Sequence, residues 1–403
     1  MTIRPRSFNA FIGVATFSKL MLNTARRMVY PFAPELARGL GVPLTAVTSL
    51  IAVNQATAVL GPLGALFADR YGNKPVLLFA VVLCFIGCLG IALFPLYGVV
   101  LAGLFLAGLA KSLFDPSLQA QIASQVPYAQ RGKFIGITET SWAGATLLTI
   151  PAAGFIMSHF SWQTPFKLVA ILTFVCFFLL LKLAPGPHRF HGRLSNKEKE
   201  TKRLQINWKT LLKNKKVVGL LIFVFFMSLA NDNVFVIYGV WLESACGMSL
   251  AEIGMSTVLI GMAEFLAEGG SALFSDRIGL KKSVLMGTAA TAVTYMVLPF
   301  TASGIPLILS GLGALFLFFE FTLVSSMSLG TELVPEFRAA TMAAFFAVAG
   351  IGRIIGAFSG GLIWSVYGIR GICLLSGFCS VLALAALMAG TRREPNAHKI
   401  IHP

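Results

Sequence analysis

The chain repeats one short charged stretch in each of its halves. Residues 65–74 read ALFADRYGNK and residues 272–281 read ALFSDRIGLK, so seven of ten positions are identical at an offset of 207 in a chain of 403 residues. Each copy ends one long apolar run and begins the next, with Asp-Arg-x-Gly-x-Lys as the turn between them. A repeat at about half the chain length predicts a fold built from two copies of one helical unit.

The apolar runs predict that this unit crosses a membrane. Hydrophobic residues make up 56% of the chain and charged residues only 12%, whereas a soluble domain is about a quarter charged. A membrane-spanning helix needs roughly 20 apolar residues. The apolar pattern predicts twelve spans, at residues 8–32, 44–68, 76–95, 98–125, 133–158, 166–184, 217–242, 250–274, 284–302, 305–331, 340–366 and 370–390.

The net charge of +16 follows from topology and gives no reason to expect a nucleic-acid partner. Twelve spans place both termini on one side, where 23 Lys and Arg residues fall, against three on the other side. Positive charge accumulates on the cytoplasmic side of membrane proteins. We therefore expect cytoplasmic termini in a plasma (inner) membrane. The predicted organisation is a bundle at 1–184, a basic cytoplasmic linker at 185–216, and a second bundle with a short tail at 217–403.

Asp-Arg-x-Gly-x-Lys after the second span of each half resembles the loop signature of the major facilitator superfamily. The Gly- and Pro-containing fifth span, with Pro151 and Gly154, resembles the exporters of that family. The resemblance implies an all-α membrane protein with 12 transmembrane helices in two six-helix pseudo-symmetric bundles, a secondary transporter and not an enzyme. It also implies a cytoplasmic gate, for which we predict Asp69, Arg70, Gly72, Lys74, Arg131, Asp276, Arg277, Gly279, Lys281 and Arg338.

Charged and amide residues inside the spans mark a candidate transport cavity, because such groups are costly in a bilayer and need a reason to be there. In the family, the first and fourth helices of each half line the cavity. The predicted cavity residues are Asn23, Arg26, Lys111, Asp115, Asn231, Asp232, Asn233, Glu320 and Arg353, with Glu264 as a possible proton site.

Several charged residues within the predicted spans allow a structural interpretation as well. Lys111 and Asp115 are four residues apart and can pair on one helix face. An ion pair between helices competes with a cavity role for Lys19, and Arg27 is expected to extend to the membrane interface. Glu320 and Arg353 form either a structural pair or a proton-binding carboxylate with its competing cation.

The intramembrane charges are mostly basic in the first half and acidic in the second. No Gly-x-x-x-x-Gly-Lys pattern is present for ATP, and no cysteine pattern suggests a metal, so we expect neither a cofactor nor a metal. The sequence predicts a monomeric transporter among membrane lipids, with a small-molecule substrate and the proton as coupling ion. Proton-coupled efflux of a small organic or amphipathic molecule is the first hypothesis. Uptake of an organic anion, favoured by Arg26 and Lys111, is the second, and a non-transporting membrane sensor or enzyme the third.

Overall fold

The computed structural model describes residues 5–61, 67–68, 70–185, 213–302, 304–333 and 338–391. Within these ranges the chain forms helices and the turns that connect them, without a strand. Most of the predicted linker at 185–216 lies outside the described residues.

The first bundle contains eight described helices. They are α1 (Pro5–Arg27), α2 (Ala33–Leu40), α3 (Leu44–Ala56), α4 (Asn73–Leu93), α5 (Tyr97–Gln125), α6 (Tyr128–Gly144), α7 (Ile150–His159) and α8 (Thr164–Leu183). A 3₁₀ turn, Thr57–Leu60, extends α3, and a π-helical turn, Ala145–Thr149, joins α6 to α7. This wide turn comes just before Pro151, whose ring nitrogen has no hydrogen to donate to the helix.

The second bundle contains six described helices. They are α9 (Lys215–Phe235), α10 (Tyr238–Cys246), α11 (Leu250–Ile278), α12 (Leu280–Val297), α13 (Ile305–Leu333) and α14 (Arg338–Gly390). A straight helix of the 53 residues of α14 would be about 80 Å long, which is far more than one membrane crossing requires. Gly368 interrupts it with φ 59°, so α14 consists of two arms, as the predicted spans 340–366 and 370–390 require.

The described helices confirm the predicted all-α membrane fold. Nine helical stretches among the described residues are long and apolar enough to cross a membrane, and two of them join α6 to α7 and α9 to α10. The number is ten if α2 and the extended α3, bent by 116°, count as one span. That test treats the two arms of α14 as a single helix. α1 is not among the nine, and its 23 residues contain four cations, Arg6, Lys19, Arg26 and Arg27.

The duplicated turn has the same structure in both bundles. Gly72 and Gly279 precede α4 and α12 with φ of 88° and 94°, where a side chain would be strained. Lys74 Nζ donates hydrogen bonds to the carbonyl oxygens of Leu181 and Ala184, at 2.7 and 2.9 Å. Nζ of the repeated lysine, Lys281, donates to Thr391 O at 2.8 Å. Each lysine therefore stabilises the carboxyl end of the last helix of its own bundle.

Glycines at every fourth position of α14 pack directly on the backbone of α9. A Cβ atom added to any of them would lie closer than 3.0 Å to a carbonyl oxygen, in the pairs Gly352 with Phe225, Gly356 with Leu229 and Gly360 with Asn233. Small residues allow this close approach between membrane helices. This close packing fixes the position of the polar residues at the end of α9.

Replacing Gly356 by valine is expected to separate α14 from α9, because the new side chain meets Leu229 O and the Cβ of Asp232. Overpacking of this kind lowers the free energy of unfolding by about 1–3 kcal/mol. Gly350→Ala is the matched control, since a Cβ there has no atom within 4 Å. Thermal unfolding in detergent compares the two variants, and equal melting temperatures would contradict the packing argument.

Candidate functional site

A network of two cations and two carboxylates lies inside the first bundle. Lys111 Nζ is 2.6 Å from Asp115 Oδ2, which confirms the predicted pair on α5. Lys19 Nζ on α1 lies 2.7 Å from Glu139 Oε1 and 3.7 Å from Asp115 Oδ1. The structure thus supports the ion pair between helices for Lys19, which was the alternative to a cavity role. Both lysines are neutralised within the bundle, which reduces their attraction for an anionic substrate.

Arg27 does not extend to the membrane interface, so that expectation is wrong. Its exposed fraction is 4%, and its Nη2 lies 3.1 Å from Glu264 Oε1 on α11. Its guanidinium lies 4.0 Å from the centre of the Trp142 ring and 5.9 Å from that of Phe235. A carboxylate of the second bundle and two aromatic rings therefore replace the water that this cation would otherwise need. Sequence reasoning did not identify Trp142 as a site residue.

Asp232 takes part in the second polar connection between the bundles. Its Oδ1 accepts hydrogen bonds of 3.4 Å from the hydroxyl of Tyr30 and from Gln55 Nε2. Gln55 Nε2 also donates to the Tyr30 hydroxyl, and its Oε1 accepts a hydrogen bond from Arg26 Nη2. The amide of Gln55 thus stands between a cation and a carboxylate. Sequence reasoning missed Gln55, although an adjacent amide pair, Asn54-Gln55, in an apolar span was a signal for it.

The predicted cavity asparagines differ in their surroundings. Asn23 Nδ2 donates to Ser141 Oγ at 3.2 Å, and Asn233 Oδ1 accepts from Ser359 Oγ at 2.7 Å. These two are buried and bonded within their own bundles. Asn231 is half-buried, and its side-chain oxygen has no hydrogen-bond partner among the described residues.

Glu320 on α13 and Arg353 on α14 are both half-buried. In the described part of the chain neither forms a hydrogen bond or an ion pair within 4.0 Å, so the predicted Glu320–Arg353 pair is not formed in this structure. Phe316 lies one helical turn before Glu320 and shares its face, and its ring centre is 5.5 Å from that of Phe235 on α9. The ring centre of Phe235 is in turn 4.5 Å from that of Tyr30 in the first bundle. Glu320 therefore faces the centre of the molecule, where residues of both bundles meet.

The predicted gate residues that the structure describes lie at the end of the molecule where the duplicated turns are. Arg70 and Arg277 are exposed, and the guanidinium of Arg70 lies 5.4 Å from the centre of the Tyr71 ring. Arg131 Nε donates to Val126 O at 3.1 Å. Asp69 and the side chains of Asp276 and Arg338 lie outside the described residues.

The two bundles also meet at the opposite end. Arg38 Nη1 on α2 lies 2.6 Å from Glu243 Oε1 on α10, and Thr257 Oγ1 donates to Thr146 O at 3.0 Å. Gly239 packs against the backbone of Pro31 without room for a Cβ. At this end polar and backbone contacts hold the two bundles together.

The comparison with known proteins agrees with this architecture. The family model described as Major Facilitator Superfamily matches residues 15–238 and 220–402. The MFS-type transporter YceJ of Bacillus subtilis (strain 168) is 21% identical over 332 residues, which cover 82% of this chain and 81% of YceJ. The multi-drug resistance efflux pump PmrA of Streptococcus pneumoniae serotype 4 (strain ATCC BAA-334 / TIGR4) is 30% identical over 42% of this chain and 44% of PmrA. The class C tetracycline resistance protein of Escherichia coli is 26% identical over 60% of each chain.

Solved structures share the fold at low sequence identity. The crystal structure of a D-xylose-proton symporter has a TM-score of 0.78 with 18% identity, over 95% of this chain and 97% of the symporter. A bacterial homologue of the human lysosomal transporter Spinster, in an inward-facing and unoccupied conformation, has a TM-score of 0.75 with 14% identity and 96% coverage of both chains. With the family model matching both halves, this chain belongs to the Major Facilitator Superfamily and is an integral, multi-pass membrane transporter.

Proposed function

We propose that this transporter exports a small organic or amphipathic molecule in exchange for protons. The observation that carries the proposal is Glu320, a half-buried carboxylate without a counter-ion among the described residues. An unpaired charge opposes closure of the cavity, because closure would remove its remaining water. A proton or a cargo cation can each neutralise Glu320 and so permit closure. Two ligands that compete for one carboxylate are exchanged for one another.

The contacts between the bundles support coupling to the proton. Arg27 meets Glu264, and Tyr30 and Gln55 meet Asp232, so both polar connections near the centre end on a carboxylate of the second bundle. A proton on either carboxylate removes the charge that its partner stabilises. Proton occupancy and separation of the bundles are therefore linked, as alternating access requires.

The surroundings of these carboxylates suit an amphipathic cargo. The ring of Phe235 lies 4.5 Å from that of Tyr30 and 5.5 Å from that of Phe316, measured between ring centres. Trp142 lies beside Arg27. The relatives named as a multi-drug efflux pump and a tetracycline resistance protein support export as the direction.

The positive charges of the loops support an orientation with cytoplasmic termini in the inner membrane. In that orientation the duplicated turns face the cytoplasm. We retain the prediction that Asp69 and Asp276 belong to a cytoplasmic gate. We also retain the predicted monomer and the two bundles at 1–184 and 217–403.

Uptake of an organic anion is the second candidate. Arg26 and Arg353 favour it, because neither has a carboxylate within 4.0 Å in the described part of the chain. Lys111 no longer supports it, since Asp115 already neutralises that ammonium group.

The sign of the coupled proton movement distinguishes the two candidates. Proteoliposomes are loaded with a pH-sensitive dye, and a candidate cargo is added outside. The cargo is tetracycline, or an aromatic amine or carboxylate that raises the melting temperature of the purified protein. Exchange drives protons out as cargo enters, so the lumen becomes alkaline, whereas co-transport acidifies it. Cargo uptake without any change of lumenal pH would refute proton coupling altogether.

Asp232→Asn is expected to abolish accumulation driven by a pH gradient. The amide has nearly the same shape and remains able to bond with Tyr30 and Gln55, but it does not carry the negative charge that a proton would remove. Glu139→Gln is the control, because Glu139 is exposed and Lys19 keeps Asp115 as a partner. Flux in proteoliposomes measures both variants, and normal pH-driven flux in Asp232→Asn would contradict the assignment.

Arg27 and Glu264 are expected to act as one unit. Arg27→Met or Glu264→Gln alone should lower the free energy of unfolding by about 3 kcal/mol, because the remaining partner is left buried and unpaired. The double variant should lose clearly less than the sum of the two. A double-mutant cycle measures this coupling. Additive effects would show that the contact between the bundles contributes no stability.

A further inference from the structure

Glu320 and Arg353 differ from the other strongly charged groups at the centre of the molecule. Lys19, Arg27 and Lys111 each have a carboxylate within 4.0 Å. Glu320 and Arg353 have neither an ion pair nor a hydrogen bond in the described part of the chain, although both are half-buried. A half-buried cation and a half-buried anion without partners leave two opposite charges available to a ligand.

Both charges lie on parts of α13 and α14 that approach the end of α9. Phe316 lies one helical turn before Glu320 on α13 and therefore shares its face, and its ring centre is 5.5 Å from that of Phe235 on α9. Arg353 lies one turn before Gly356, at which an added Cβ would be 3.0 Å from the Cβ of Asp232 on α9. The two charges thus flank the aromatic part of α9.

We propose that the cargo is a zwitterion with an aromatic or apolar body, whose cationic group binds Glu320 and whose anionic group binds Arg353. The proposal rests on the exchange function above and specifies the class of its cargo. Such a ligand neutralises both protein charges at once, which neither a simple cation nor a simple anion can do. The aromatic rings at the end of α9 and on α13 receive the apolar body.

The charged groups around this site are consistent with exchange against a proton. Glu264 and Glu268 of α11, Arg353 of α14 and Arg27 of α1 interact with the charge of Glu320. The cationic group of the cargo and a proton compete for Glu320. When a proton occupies it, Asp232 remains as the carboxylate whose charge interacts with Arg353. Arg26 is a further cation without a carboxylate within 4.0 Å in the described part of the chain, and its charge strengthens attraction for the anionic group.

The test uses sets of three matched probes. Each set consists of an aromatic amino acid, its methyl ester, which is only cationic, and its N-acetyl derivative, which is only anionic. The sets differ in the number of bonds between the ammonium and the carboxylate, so that one length fits the site. Equilibrium binding to the purified wild-type protein is measured for every probe. In at least one set the zwitterion should bind about tenfold or more tightly than both derivatives.

Two variants assign each charge to its partner. In Glu320→Gln the zwitterion should lose its advantage over the N-acetyl probe but keep its advantage over the ester. In Arg353→Gln the opposite loss is expected. Because each comparison is made within one variant, a variant that binds any of the three probes is folded well enough to be informative. Glu320→Asp keeps the charge and should retain the preference for the zwitterion.

Equal binding of the three forms in every set would overturn the proposal, as would a preference that neither Glu320→Gln nor Arg353→Gln changes. The double variant Glu320→Gln, Arg353→Gln tests whether the two residues only pair with each other in another conformation. If they do, this variant will show the same preference among the three probes as wild type, and the proposal fails. Alkalinisation of the lumen without a preference for zwitterions would refute the cargo class alone. A preference for zwitterions without coupled proton movement would instead refute the exchange function.

Discussion

The cost of an unpaired charge inside a bilayer governs the interior of this protein. Lys19 and Lys111 meet carboxylates of their own bundle, whereas Arg27 meets Glu264 of the other bundle. The first arrangement stabilises a bundle internally, and the second connects two bundles that must separate during transport. The same electrostatic requirement thus serves two purposes, depending on which bundle supplies the partner.

Sequence reasoning succeeded where the signal was local. Lys111 and Asp115 are four residues apart, so helix geometry alone predicts their contact. The repeated Asp-Arg-x-Gly-x-Lys stretch was predicted to be a turn, and its glycines adopt positive φ there. By contrast, Arg27 and Glu264 are 237 positions apart, and a single sequence gives no information about which distant residues meet. Arg27 was assigned to the membrane interface because only its position near the end of a span was visible.

Gln55 was missed for a different reason. A neutral amide is far less costly in a span than a charge, so it does not attract notice in a search for charged residues. An amide can donate and accept at the same time, and Gln55 uses both abilities, towards Asp232 and towards Arg26. It connects a cation and a carboxylate without letting them form a direct ion pair. Asp232 therefore has hydrogen-bond donors beside it and no cation within 4.0 Å in the described part of the chain.

The two kinds of packing explain which parts can move. Within the second bundle, α14 lies on α9 through glycines that leave no room for a side chain, so these helices are held at one separation. Near the centre, the bundles meet through hydrogen bonds of 3.4 Å to Asp232 and one ion pair of 3.1 Å to Glu264. The hydrogen bonds to Asp232 are long, so little free energy is lost when they part. Asp232 lies on the tightly packed helix and takes part in the loose contact, so the second bundle is rigid where it meets the first through hydrogen bonds that are easily broken.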